Sequence, residues 1–197
     1  DHSEAASPFD DAMADKIKET LLRYDQPPSR LFEVLFGEPI PEDISIANQV
    51  VIVKETEFLV IAEFHDSPTP LSWQDYGDTL IYQSLNQHLR GNRETAQEYF
   101  ERAYSMWDGK GIYDAATRKR NAYANYKLAL ILYASKVLRI TIPDYSRVEA
   151  RLWSMTNPDG GIAAHASLDG NRLGSANCET TSMALLPYHE ELIAGMR

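Results

Sequence analysis

Residues 153–165 read WSMTNPDGGIAAH, and their reading decides the fold. Pro158, Asp159, Gly160 and Gly161 form a turn-rich run with apolar residues on both sides. Such a run stops one helix and aims the next element, because glycine supplies positive φ and aspartate binds nearby backbone N–H groups. A related run, MWDGKGIYD, begins at Met106. Gly111-Ile112 and Gly161-Ile162 then coincide at a spacing of 50 residues. The same spacing lays Tyr76, Leu80 and Ile81 on Tyr126, Leu130 and Ile131. The unit is an apolar helix, a connection, an amphipathic helix and a glycine-bearing loop. Stacked helical hairpins bury together what one hairpin cannot bury alone.

Working outward, helical spacing of apolar residues predicts helices over 71–90, 93–107, 119–139, 144–155 and 177–193. The long, almost wholly apolar run around Leu128–Val137 places 119–139 at the centre. SLDGNRLGSAN, residues 167–177, reads as a polar loop. Toward the N-terminus, Ser7 and Pro8 suit an N-cap and first helical residue, predicting a helix over 8–25. A short helix at 29–36 and a Pro-rich connection follow. Residues 46–64 are open to two readings. Their Val and Ile content fits a β-hairpin at 50–64, whereas their length without Gly or Pro fits a buried helix, which the helical surroundings favour. The expectation is therefore a mainly all-α chain forming one domain over 1–197. Within it, 1–45 hold an N-terminal helix and connection, and 46–197 hold the hairpin repeats.

Composition narrows the function classes. The chain has 197 residues, enough for one domain with a substantial core. Its net charge of −10 argues against nucleic-acid binding, which needs clustered Lys and Arg. Arg118-Lys119-Arg120 is a short basic run on a solvated helix start. No apolar run reaches the roughly 18 residues of a membrane span, so no membrane insertion is expected. A single cysteine, Cys178, excludes an intrachain disulfide and reads as a small buried filler. The chain begins at Asp1, as a secreted mature chain or a cytoplasmic fragment of a longer protein would.

The loop-helix pair PDGG at 158–161 and CETTSMAL at 178–185 resembles the (α/α) toroid proteins. It is similar to the terpenoid-cyclase and prenyltransferase branch, and the layout also resembles the six-hairpin glycosidases and lyases. The resemblance covers about 71–193. It implies a partial toroid of three to four stacked hairpins, completed by a homo-oligomer or by the remainder of a larger chain.

The resemblance also directs attention to the loop-borne acids. Asp159, Glu179 and His165 are the candidate catalytic residues, with the carboxylates as acid and base and the histidine as a general base. Each also has a structural reading: Asp159 as a turn acceptor, Glu179 as an acid at a helix N-terminus. Asp108, Tyr113, Asp114 and Trp153 are candidate ligand-binding residues, the aromatic ones for stacking on sugar faces. Trp107 could stack in the same way. Glycoside hydrolysis needs two carboxylates about 5–10 Å apart, and a rim carrying Asp108, Asp114, Asp159 and Glu179 would supply such a pair. FDDAMAD at 9–15 has the wrong spacing for an isoprenoid diphosphate motif, and HEELI at 189–193 lacks the second histidine of a zinc-protease helix. No metal or cofactor is expected. The function that follows is a non-catalytic or degenerate toroid module for ligand binding or assembly, with a small molecule or glycan as ligand. The alternative is a carbohydrate-active enzyme of the hydrolase or lyase type.

Overall fold

In a computed structural model of the chain, the described residues are 34–40, 48–55, 60–66, 72–158 and 160–196. They are mostly helical. The helix expected at 8–25 lies outside them. Of the short helix expected at 29–36, only a 3-10 turn at 34–36 is described.

The apolar and amphipathic helices alternate as the repeat predicts. Helix α1 (Gly77–Leu89) buries Leu80, Ile81 and Leu85. It ends at Gly91, whose φ of +84° suits a left-handed helix stop. Helix α2 (Arg93–Tyr104) returns against it and buries Ala96, Phe100 and Ala103, one stripe at spacings of three and four. The Ser84 hydroxyl, buried between them, donates to the Ala96 carbonyl at 2.5 Å.

The helix expected over 119–139 is broken. A short helix α3 (Ala115–Arg120) ends at Asn121, which adopts a left-handed conformation with φ of +53°. A three-residue strand β3 (Ala122–Ala124) follows, and helix α4 (Tyr126–Leu138) then begins. Asn121 does here what glycine usually does, because asparagine tolerates this conformation better than most residues. Helix α4 is buried nearly all round and packs against α1, α2, helix α5 (Tyr145–Trp153), helix α6 (Cys178–Leu185) and helix α7 (Glu190–Gly195). It is the hub of the hydrophobic core of the described residues.

Three further expectations are corrected. The loop at 167–177 is part of a hairpin, β4 (Ala163–Ser167) and β5 (Arg172–Ala176), and with β3 it makes a three-stranded antiparallel sheet. Tyr123 faces Ala166 and Ala124 faces His165 across the β3–β4 pair. Asp169 and Gly170 lie in the turn, where Gly170 has a φ of +92°. The last helix is split: Pro187 cannot donate a helical hydrogen bond, and a 3-10 turn at Leu186–Tyr188 separates α6 from α7. Of the two readings of 46–64, the described residues form the β-hairpin and not the favoured helix. Asn48–Glu55 (β1) and Val60–Asp66 (β2) pair antiparallel, from Asn48↔Asp66 to Glu55↔Val60, with a bulge between Ile52 and Lys54. The run of β-branched residues from Val50 to Val53 favours the strand, and it outweighs the helical setting.

The two glycine-bearing loops are joints of the same construction. In the first, Tyr113 N–H donates to the Met106 carbonyl at 2.8 Å and Asp108 N–H to the Gly111 carbonyl at 3.2 Å. In the second, Ala163 N–H donates to Met155 at 2.9 Å and Asn157 N–H to Gly161 at 2.7 Å. Isolated bridges Trp107↔Ile112 and Thr156↔Ile162 occupy matching places. Each joint also seats the start of the apolar helix that precedes it. Gly77 N–H, at the head of α1, donates to the Asp114 carboxylate at 3.0 Å. Asn125, at the head of α4, donates through its backbone to Ala164 at 3.0 Å and through its amide to Ala163 at 2.7 Å. Gly77 must be glycine for this approach, since an added Cβ would lie 2.6 Å from Ile112 Cγ2.

Candidate functional site

The first turns of α1, α4 and α6 meet at a polar cluster. Lys127, the second residue of a largely apolar helix, is 3% exposed and reaches Asp114 Oδ2 at 2.5 Å and Asp78 Oδ1 at 3.3 Å. A buried cation needs such partners, since desolvating an unpaired charge costs several kcal/mol. Asp114 is fully buried. Besides Lys127 it accepts from Gly77 N–H, and from Thr117 N–H at 2.9 Å as the N-cap of α3. Burial alone would raise its pKa. The Lys127 charge, the Lys127 hydrogen bond and the two backbone N–H groups outweigh that and hold it below the ordinary carboxylate value.

Two tyrosines complete the cluster. The Tyr126 hydroxyl donates to Asp78 Oδ2. Burial, then the charge of Asp78, raise the pKa of both Tyr126 and Tyr82, and Glu179 adds to both. Both phenols stay protonated, and that of Tyr126 acts as a hydrogen-bond donor rather than a base. Glu179 itself is exposed, in the first turn of α6, whose N-cap Asn177 accepts from Thr180 N–H at 2.8 Å. Lys127 is thus held between two carboxylates, Asp78 and Asp114, with the Tyr126 hydroxyl on the far oxygen of Asp78, while Glu179 acts on the two tyrosines through its charge.

The other residues singled out in the sequence fall elsewhere or serve the joints. Asp108 Oδ1 accepts from the backbone N–H groups of Lys110 and Gly111 at 2.9 and 3.1 Å, and its Oδ2 accepts from the buried Tyr123 hydroxyl at 2.5 Å. Tyr113 is exposed and lies against Tyr123, ring centroids 6.3 Å apart. His165 is half-buried in β4, and burial followed by the nearby Arg120 charge lowers its pKa. Among the described residues, no hydrogen bond or ion pair joins His165 to Glu179 or Asp114. Trp153 is exposed and forms a pair with Tyr188, Nε1–H donating to the Tyr188 hydroxyl at 2.9 Å, which donates on to Glu149. Asp159 lies outside the described residues. Cys178 is exposed rather than a buried filler, since it opens α6 at the surface.

Asp114 thus lies in the Lys127 cluster, Glu179 influences the cluster's tyrosines through its charge, and Asp108 and Tyr113 gather around Tyr123. The sequence reading missed Asp78, Tyr82, Tyr126 and Lys127. One signal was present: a lysine entering the run KLALILY must find buried counter-charges. Among the described residues no group of three or more His, Cys, Asp or Glu could hold a metal ion. None of their helices is long and apolar enough to cross a membrane. Compared with protein-family models, curated proteins and solved structures, the chain matches none.

Proposed function

We propose that the chain is a non-catalytic or degenerate (α/α)-toroid module that binds a ligand or partner at the converging helix ends. The observation that carries this reading is the fate of the loop carboxylates. Asp108 and Asp114 have their oxygens taken up by backbone N–H groups, Tyr123 and Lys127. Carboxylates engaged in this way position helices and are not poised to move a substrate proton. The recurring joints and the alternation of apolar and amphipathic helices support the toroid assignment. A polyol such as a glycan is the ligand this reading favours, since Tyr113 and Trp153, outside the buried cluster, expose aromatic rings on which a sugar face can stack.

One observation favours the second reading, a carbohydrate-active enzyme. Glu179 stands exposed at a helix end, near two protonated tyrosines, as a general acid or base would. Reducing-end release from a panel of soluble plant and microbial glycans separates the two. The binding-module reading expects no turnover above blank for the chain, and the same for Glu179→Gln. Release that is lost in Glu179→Gln establishes the enzyme instead. Light scattering tests the assembly part, with a mass well above 22.3 kDa expected.

A further inference from the structure

A cavity of about 310 Å³ lies on another part of the molecule, between the first turn of α2, the last turn of α4 and His88 near the end of α1. Its lining is divided by chemistry. Ala96, Val137, Leu138 and Ile140 make an apolar wall, Arg93 and Arg139 make a cationic rim, and the His88 imidazole lies beside them. Among the described residues no carboxylate lines it, in a chain with 29 acidic against 19 basic residues. The one remaining polar group, Gln97, donates its amide to Glu101 on the surface of α2 at 2.7 Å. Arg93 and Arg139 are exposed and hold no ion pair among the described residues. His88 Nε2 sits 2.9 Å from the Met196 carbonyl, which fixes the ring at the edge of the cavity.

Arg139 occupies the residue after α4 with a left-handed φ of +58°, a position where glycine is the usual choice. Its backbone carries a conformational cost that glycine would avoid. Arg93 opens α2, so the cavity also meets the positive end of that helix dipole. Two guanidinium forks at one rim match the planar or tetrahedral oxygens of an oxyanion, and Arg binds phosphate with paired N–H donors.

We propose that this cavity binds a small organic phosphate monoester, the phosphate between Arg93 and Arg139 and the apolar body against Ala96, Val137 and Ile140. The site is separate from the converging helix ends and independent of the function proposed for them.

Phenyl phosphate is the probe, titrated at constant ionic strength while the amide resonances of Ala96 and Ile140 are followed by NMR. Inorganic phosphate and phenol are titrated alongside. Expected is a saturable shift of both resonances, with phenyl phosphate binding at least about ten-fold more tightly than either half of the molecule, as burial of a ring allows. Arg139→Gly is the decisive variant. Glycine suits the backbone there, so the variant stays folded, and binding should weaken at least about ten-fold because a charged hydrogen-bond partner is gone. Arg93→Gln should do the same, and Arg118→Gln, outside the cavity, should change nothing. Unchanged affinity in Arg139→Gly, or no saturable shift at Ala96 and Ile140, overturns the site. Inorganic phosphate binding as tightly as phenyl phosphate overturns the organic ligand.

Discussion

The joints at Met106–Asp114 and Met155–Ala163 close with the same pair of backbone hydrogen bonds, yet their side chains do different work. The first joint is braced from inside. Asp108 caps its own turn and Tyr123 packs over Gly111 so closely that a Cβ there would lie 2.3 Å from the ring. Asp114 then pins the head of α1 and neutralises Lys127. The second joint is one residue longer between its bonded ends and carries Asn157 where the first has Asp108. It hands the chain to the β4–β5 hairpin, and carbonyl oxygens of Ala163 and Ala164 pin the head of α4 instead of a carboxylate. A backbone geometry can therefore recur while its charged residues do not. At the first joint those charges are part of the frame.

If the charges at the first joint are structural, Lys127→Met should give the largest loss. It leaves Asp114 buried without its cation, at a cost of about 3–5 kcal/mol, visible as a lowered urea midpoint. The glycines distinguish the joints next. Gly111→Ala forces Tyr123 to move and should cost about 1–3 kcal/mol. Gly160→Ala has open space around it and should cost only about 1 kcal/mol, from its φ of +90°. Equal losses at the two positions would erase the distinction. Tyr123→Phe removes the donor to Asp108 and should cost about 1 kcal/mol by thermal unfolding.

The smallest effect is a slope. Because the folded pKa of Asp114 is depressed, its stabilisation is present above the ordinary value near ~3.9 and is lost as pH falls through the lower, folded value. Wild type should lose stability below about pH 4, and Asp114→Asn should show a shallower fall over the same range. Urea midpoints measured across acid pH decide this.

The hairpin units were readable in the sequence because Gly111-Ile112 and Gly161-Ile162 punctuate it at a fixed spacing. The break between α3 and α4 was not. KRNAYAN holds neither Gly nor Pro, and only Asn121 turning left-handed ends the helix. SLDGNRLGSAN, residues 167–177, read as one polar loop because β5 (Arg172–Ala176) is short and exposed and carries little apolar alternation. Asp114 and Glu179 could be picked out as loop acids. Their convergence with Asp78, Tyr82 and Tyr126 depends on how three helices pack, which local spacing does not encode.

The central claim is that the acid at the first joint belongs to the frame together with Lys127. A double-mutant cycle of Lys127→Met and Asp114→Asn, followed by urea denaturation, measures it directly. The prediction is a coupling of about 2 kcal/mol or more, the double variant recovering part of what Lys127→Met loses, because removing both charges leaves none uncompensated between them. Additive losses, or a Lys127→Met variant that unfolds at the wild-type midpoint, would contradict it.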